Sequence, residues 1–272
     1  MSTTNGFKKR VLAVTAAAAL FGLAAMPAQS ALVWRLTLGG VSILDITDGG
    51  VGDLDGIINN VITVNSITAN AALIGAGSAY RITSAGAVSN CGIPAGCLGT
   101  GGLAVLNSSA IITNTGAGGS IDIDVSQNNW LVPPGNPRTL TNAPSATLTL
   151  LTAPGDNMDS TGYNSPTNTL FATLGAFNTP ISVFTPGNAL CTPNLGGLST
   201  CNDLQQRTGI VEGNPYSLTQ VMNFNMTAGS AVRSISYGDA STKFALPVPE
   251  PASLLLLGIG LAGLGFVRRF KS

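Results

Sequence analysis

Near the start of the chain, four aspartates are crowded into eleven residues: Asp45, Asp48, Asp53 and Asp55. Glycines between them allow the backbone to turn, so the carboxylates can converge. Calcium takes six to eight oxygen ligands, and Asn59 and Asn60 follow closely enough to add amide oxygens. The segment is therefore the candidate Ca²⁺ site. The alternative is a solvated Asp-Gly turn between strands, because the acids are not spaced as in an EF-hand loop and the final Glu of such a loop is absent.

The residue types needed for most enzyme chemistry are scarce. The chain has no histidine, which excludes Ser-His-Asp and Cys-His pairs and removes the usual general base near neutral pH. Glu212 has no identifiable partner for a glycosidase pair. Gly258-Ile-Gly-Leu-Ala-Gly263 matches a dinucleotide-binding pattern, but no strand precedes it. We therefore expect no catalytic residue, no bound cofactor other than the candidate Ca²⁺ and no enzyme activity, with a secreted hydrolase that uses carboxylates as the third alternative.

Four cysteines form two close pairs in the sequence: Cys91 with Cys97, and Cys191 with Cys201. Gly, Pro, Asn and Ser fill both intervening segments, so each segment can fold back and join its own ends. Four cysteines allow three pairings, and the local pairing is favoured. A zinc site is disfavoured because neither spacing has the two-residue separation of a zinc knuckle.

Short strands separated by turn residues dominate the pattern between the two ends of the chain. Ser120 to Ser126 alternates strictly and places Ile121, Ile123 and Val125 on one face. Eight further segments are rich in Thr, Val, Ile, Leu and Phe: 32–38, 61–67, 103–113, 146–152, 168–174, 181–185, 217–228 and 232–237. This predicts a mainly β domain, an antiparallel β-sandwich or jelly roll, with a β-solenoid as the alternative. The proline-rich segment 131–138 is interpreted as a loop crossing between the sheets.

Aromatic residues that could form a sugar-binding platform are few and scattered. Trp34 lies in an early strand and is expected in the core. Trp130 lies beside asparagines and the proline-rich loop, which makes it the better candidate for an exposed ring. A packing role is nevertheless favoured for it.

The amino terminus has the features of a secretory signal peptide. Lys8-Lys9-Arg10 is a basic region, Val11 to Ala25 is apolar, and Ala28-Gln29-Ser30 is a small-x-small cleavage site. We therefore predict a signal peptide over residues 1–30. The exported domain is then residues 31–246, long enough for one domain with a substantial core.

Three features follow one another in the last 24 residues. Pro249-Glu250-Pro251 keeps the backbone extended, the apolar segment 254–267 follows it, and Arg268-Arg269-Phe270-Lys271 ends the chain before a final serine. As a helix the apolar segment would span roughly 21 Å, short of a hydrocarbon core of about 30 Å, which suits transient anchoring. The basic residues should stay cytoplasmic, leaving Pro249-Glu250-Pro251 on the far side.

This ordered pattern resembles the PEP-CTERM sorting signal of Gram-negative bacteria, and the resemblance covers only the tail, residues 247–272. It implies that the secretion machinery exports the chain across the inner membrane. An exosortase-type enzyme would then process it at the motif formed by Pro249, Glu250 and Pro251, with Arg268 and Arg269 in the basic tail. It further implies a transient inner-membrane anchor, a final location at the cell surface or outside the cell, and association with an exopolysaccharide matrix.

Charge separates the targeting segments from the exported domain. Six of the 12 basic residues but one of the 12 acidic residues lie in those segments, which leaves the exported part a formal charge of −5. Such a domain has no electrostatic attraction to nucleic acid or anionic lipid. Together with the matrix association that the PEP-CTERM resemblance implies, the export signals, low charge, cysteine pairs and strands lead us to expect a structural or adhesive surface protein. The alternative is a calcium-dependent carbohydrate-binding module that rests on the four aspartates from Asp45 to Asp55 and on Trp130.

Overall fold

The structure is a computed structural model that describes residues 30–91, 103–131, 137–148, 155–193, 198–211, 213, 215–228 and 233–245. Apart from Ser30, the predicted signal peptide lies outside these ranges, as does the sorting signal. A bilayer-spanning helix is not found in the described part of the chain.

Within these residues the chain forms one helix and fifteen strands. The helix is α1 (Ser66–Gly75). The strands are β1 (Leu32–Leu38), β2 (Val41–Thr47), β3 (Val61–Thr63), β4 (Tyr80–Ser89), β5 (Ala104–Asn114), β6 (Gly119–Trp130), β7 (Arg138–Leu148), β8 (Asn157–Ser165), β9 (Phe177–Asn178), β10 (Ser182–Phe184), β11 (Cys191–Pro193), β12 (Ser199–Asn202), β13 (Gln205–Ile210), β14 (Tyr216–Met226) and β15 (Arg233–Ala245).

The strands build two antiparallel sheets. The first has the order β10-β8-β14-β6-β1-β2, with β9 paired to β8. The second has the order β11-β12-β7-β15-β5-β4-β3, with β13 paired to β7. Apolar side chains from both sheets form a single buried core. The prediction of a mainly β protein with antiparallel sheets is confirmed, and the shared core makes the arrangement a two-sheet sandwich.

Alternation along each strand decides which side chains enter this core. In β6, Ile121, Ile123 and Val125 are fully buried, and the two aspartates between them point to the outer face. In β7, buried and half-buried residues alternate along the whole strand. Because side chains alternate across a strand with period two, each sheet has one face in the core and one outer face.

A chain of polar side chains also crosses the interior. Gln220 on β14 accepts a hydrogen bond from Ser108 Oγ on β5 at 2.6 Å. Its Nε2 donates to Asn142 Oδ1 on β7 at 3.2 Å, and Asn142 Nδ2 donates to Ser160 Oγ on β8 at 3.1 Å. The four strands alternate between the two sheets, so these bonds connect the sheets directly.

The prediction of a strand over residues 61–67 is wrong in its second half. The strand ends at Thr63 and α1 begins at Ser66, capped by Asn65, whose side chain accepts from the Ile67 and Thr68 amides. Asn70 then exchanges two hydrogen bonds with the backbone of Ile82, at 2.9 and 2.8 Å. The helix therefore covers the part of β4 that the short strand β3 leaves unpaired, which protects an exposed sheet edge.

The predicted strand over residues 168–174 is a loop. Asn168 and Phe171 have φ values of 55° and 57°, in the left-handed region, which interrupts any strand. The sequence did not predict the strands β2, β4, β8, β9, β11, β12 and β13. Strands β4 and β8 were missed because they contain many Ser, Gly and Asn residues that resemble turns. By contrast, β6 ends at Trp130 in the first sheet and β7 begins at Arg138 in the second, as the crossing-loop interpretation requires.

A disulfide joins Cys191 and Cys201, which lie opposite each other on β11 and β12. Cys91 is also disulfide-bonded. Its predicted partner Cys97 lies outside the described residues. The disulfide at Cys201 closes the outermost hairpin of the second sheet, whose inner strand β12 pairs with β7.

Replacing Cys191 and Cys201 together by serine should destabilise the exported domain by about 2–3 kcal/mol, because the disulfide closes a short loop and removes that entropy from the unfolded chain. Urea unfolding of the variant and the parent measures the difference. A variant as stable as the parent would contradict this expectation.

Candidate functional site

Asp45 does not join the other aspartates of the candidate calcium segment. It lies on β2 opposite Arg35 on β1, and the two form a bidentate ion pair with both N–O distances at 2.8 Å. Hydrogen bonding to Arg35 is the main reason that the pKa of Asp45 is lowered. The guanidinium of Arg35 also lies 3.8 Å from the ring centre of Phe171. Asp45 is therefore part of a cross-strand pair on the outer face of the first sheet.

Asp48 and Asp53 hold the loop between β2 and β3. Asp48 accepts hydrogen bonds from the backbone amides of Asn59 and Asn60, the shortest at 2.6 Å. Asp53 accepts from the amides of Gly49 and Thr63, each at 3.0 Å. Both carboxylates are 8% exposed. They replace the backbone acceptors that an irregular loop lacks.

Burial shifts the proton equilibrium of Asp48. Desolvation raises its pKa, and the two backbone hydrogen bonds oppose that rise. The charges of Asp53 and Asp55 raise it further. The charges of Asp53 and Asp55 are thus close enough to Asp48 to disfavour its ionised form.

Asp55 and the two asparagines are also occupied. Asp55 is exposed and accepts from the Ile57 amide at 3.0 Å and from Asn59 Nδ2 at 2.8 Å. Asn60 donates to the Cys91 carbonyl at 2.7 Å and accepts from Gln127 Nε2 at 3.0 Å. Asn60 has a φ of 64°, a conformation that Asn tolerates better than most residues. The side-chain amides of Asn59 and Asn60 therefore help to hold the loop between β2 and β3 in place.

The structure therefore does not gather the predicted calcium ligands into one cage. Among the described residues, no group of three or more acidic or cysteine side chains is placed to hold a metal ion. Asp45 belongs to a separate ion pair, and the remaining three carboxylates accept hydrogen bonds from their own loop. Their geometry is that of a loop stabilised by its own carboxylates.

Both tryptophans are fully buried, so neither forms an exposed sugar platform. Trp34 faces the core from β1. The ring of Trp130 lies 6.5 Å from that of Tyr216, in a stacked arrangement, and Tyr216 meets Phe244 edge-to-face at 5.2 Å. These rings close one end of the sandwich.

The outer face of the first sheet carries a row of acids that sequence analysis did not select. Asp122 and Asp124 lie on β6, and Asp159 lies on β8 on the other side of β14. Asp124 is half-buried, and burial together with the charge of Asp122 raises its pKa to about 7, while Arg35 opposes the rise. Burial also raises the pKa of Asp159. Alternation identified the face of Asp124, but its burial depends on neighbours from other strands.

The loop 166–176 contributes to this burial from outside the sheet. The amide of Phe171 donates to Ser126 Oγ at 3.0 Å, which fixes the loop against β6. Asn168 accepts from the Asn129 amide at 2.6 Å. The acidic row therefore lies on a partly covered face, where a carboxylate can keep its proton near neutral pH.

Comparison with known proteins identifies the carboxyl-terminal segment. Residues 247–269 match the model of the PEP-CTERM protein-sorting motif. The chain thus carries a PEP-CTERM sorting motif, which implies export across the inner membrane of a Gram-negative bacterium and processing by an exosortase-type enzyme. The match includes Pro249, Glu250 and Pro251 and the basic pair Arg268 and Arg269.

Comparisons over the rest of the chain give only distant likenesses. No curated protein sequence matches. The enzymatically active domain of tailspike protein 4 from bacteriophage CBA120 is 9% identical over 61% of this chain and 18% of that chain, with a TM-score of 0.26. A structure of promiscuous carbohydrate-binding modules from the β-sandwich superfamily is 11% identical over 78% and 73%, with a TM-score of 0.28. The structure of the infectious bursal disease virus Gx strain is 9% identical over 88% and 68%, with a TM-score of 0.11. At such scores these likenesses give no information on function.

Asp124→Asn should stabilise the exported domain at neutral and basic pH. A raised carboxyl pKa means that the folded form binds a proton that the unfolded chain has already released, so stability falls as pH rises from about 4 to about 7. The asparagine side chain of the variant does not ionise, so the variant does not lose stability in this pH range. The variant should exceed the parent by at most about 4 kcal/mol at pH 8, since the pKa differs by about three units.

Urea unfolding at pH 8 and pH 4 tests this expectation. Near pH 4 the difference between the variant and the parent should almost disappear, because the carboxyl is then protonated in the folded form. Equal stability at pH 8 would show that Asp124 ionises freely.

Asp48→Ala should destabilise the domain by about 1–3 kcal/mol, because the buried amide of Asn60 and the partly buried amide of Asn59 lose their acceptor. Asp55→Ala is the matched control in the same loop. It removes an equally charged but exposed side chain, so its effect should be smaller. Thermal unfolding of both variants makes the comparison.

Calcium at millimolar concentration should leave the melting temperature of the exported domain unchanged relative to the same protein in a chelator, because the carboxylates already accept backbone hydrogen bonds. A rise in melting temperature that is abolished by Asp53→Asn with Asp55→Asn would instead establish the calcium hypothesis.

Proposed function

We propose that this chain is a structural or adhesive protein of the cell surface or extracellular matrix, associated with exopolysaccharide and separated from its membrane anchor by an exosortase-type enzyme. The observation that supports this most strongly is the position of the sorting motif. Strand β15 ends at Ala245 and the matched motif begins at residue 247. The folded domain and the sorting signal therefore adjoin without overlapping.

This junction allows the tail to be removed without loss of the core. Strand β15 lies in the middle of the second sheet, between β5 and β7, and Phe244 near its end is fully buried. Cleavage within the motif leaves every residue of this strand in the exported product. A domain whose core is complete before the motif begins can be released or attached as a stable unit.

The properties of the domain suit a matrix component. Its two sheets share one core, and a disulfide joins at least one edge hairpin. Along β7, the outer face of the second sheet presents short side chains that carry hydroxyl or methyl groups. These side chains of β7 are uncharged and can contact neutral polymers. We further propose that the protein acts by binding and not by catalysis.

The two other hypotheses receive less support. A calcium-dependent carbohydrate-binding module requires carboxylates that are free to bind the ion, whereas those of Asp48 and Asp53 already accept backbone hydrogen bonds. A hydrolase requires paired carboxylates around an accessible cleft. The acids Asp122, Asp124 and Asp159 share a partly covered face of the first sheet.

Intact-mass analysis of protein recovered outside the cell tests the proposal. The recovered chain should lack residues 254–272, and Glu250→Ala should leave the protein in the membrane fraction. Glu212→Ala is the control, because Glu212 is the only other glutamate in the chain and lies outside the motif. External protein that still carries Arg268 and Arg269 would contradict the proposal.

A further inference from the structure

A cavity of about 350 Å³ lies where β3, β4 and β5 run side by side in the second sheet. Gly86 on β4 pairs with Thr63 on β3 and with Ser109 on β5. The next row along the sheet consists of Val61, Val88 and Asn107 in the same order. These six residues line the cavity from the outer face, and their neighbours along each strand face the core.

Gly86 keeps the floor of this cavity open. A Cβ at this position would lie 2.9 Å from the carbonyl oxygen of Ile62, closer than a side chain can be accommodated without a shift of the backbone. The hydroxyl-bearing residues Thr63 and Ser109 are both exposed on either side of the glycine. The absence of a side chain therefore leaves a depression between two hydroxyl groups.

The side chains that line the cavity indicate which kind of ligand it can bind. None of the described residues that line the cavity is charged. Hydroxyls come from Thr63, Ser84 and Ser109, and Val88, which is 40% exposed, adds an apolar surface. A charged ligand would find no counter-charge here, whereas an uncharged ring with several hydroxyls matches both the polar and the apolar parts.

Asn107 supplies the most specific feature. Its Oδ1 is buried and accepts no hydrogen bond from any described residue. A buried acceptor without a donor is unfavourable, and a ligand hydroxyl that donates to it relieves that cost. Asn107 as a residue is only half-buried, so a rotation of its side chain can present this acceptor to a ligand in the cavity.

We propose that this cavity binds a neutral sugar unit of a polysaccharide, with Asn107 Oδ1 accepting a hydrogen bond from a sugar hydroxyl and Thr63 and Ser109 contacting neighbouring hydroxyls. The volume is near the lower end of ligand sites, which suits one unit of a chain that continues across the open face. The site needs no calcium. In the proposed function the protein associates with exopolysaccharide, and this cavity is the place where that polymer would bind. The inference rests on the proposed function for the source of the sugar.

The experiment uses the full chain in detergent, with a chelator present, and measures binding to three neutral polymers (dextran, galactomannan and xylan) and to the polyuronate alginate. We expect binding to at least one neutral polymer and none to alginate. Asn107→Ala should weaken that binding about tenfold or more, the effect of losing one well-placed hydrogen bond. Thr63→Val, which keeps the shape but removes the hydroxyl, should also weaken it.

Asn225→Ala is the matched control, since Asn225 is a half-buried asparagine on the outer face of the other sheet. It should bind as the parent does. Thermal unfolding adds a second measurement. Asn107→Ala should not lower the melting temperature, because it removes an acceptor that has no partner in the unliganded protein, whereas an asparagine with a purely structural role would lower it.

The outcomes separate this site from the proposed function. If a neutral polymer binds the parent and both cavity variants equally, the site is wrong and glycan association stands. If no neutral polymer binds while the exported chain still loses its tail, the site is wrong and sorting stands. Binding that depends on Asn107 supports the site even if the tail is processed differently.

Discussion

The hydrogen bonds of Gln220 fix how the two sheets of this protein meet. Its side chain forms hydrogen bonds with Ser108 and Asn142 on the second sheet, and Asn142 forms a further hydrogen bond with Ser160 on the first sheet. All four residues are buried, so a misplaced pairing would leave several amide and hydroxyl groups without partners. Apolar packing tolerates small shifts between sheets, whereas these bonds do not. They therefore select one register.

Once the inner faces are fixed, the outer faces are fixed as well. A shift of one residue along β5 would turn Asn107 into the core and Ser108 outward, since side chains alternate. The same holds for β6, where Asp124 lies outside because Ile123 and Val125 lie inside. The neutral cavity on one sheet and the acidic row on the other thus both depend on the contact between the sheets.

The irregular segments are held in a different way. The loop between β2 and β3 has few backbone partners, and Asp48 and Asp53 accept the amide hydrogen bonds that a strand would otherwise accept. Asn60 then connects this loop to Cys91 and to Gln127 on β6. Acids and amides that resemble metal ligands in the sequence therefore take part in closing one end of the sandwich.

The sequence by itself determined the features that depend on local order. The sorting motif is a short contiguous stretch of sequence, so its ordered residues suffice. The alternation of residues 120–126 determined the faces of β6, and short turn-rich spacing indicated the pair Cys191 and Cys201. The cap at Asn65 was a readable signal for α1 that the strand-like composition of residues 61–67 obscured.

Only the tertiary structure decided the features that depend on residues distant in sequence. Segments such as β8, rich in Asn, Ser and Gly, become strands because β14 pairs with them along their whole length. The pKa of Asp124 is raised because packing in the sheet buries its carboxyl and because the charge of Asp122 lies nearby. Gly86, Thr63 and Asn107 form one cavity because antiparallel pairing places three strands in register. Burial and register are properties of the packed sheets, and a single segment does not contain them.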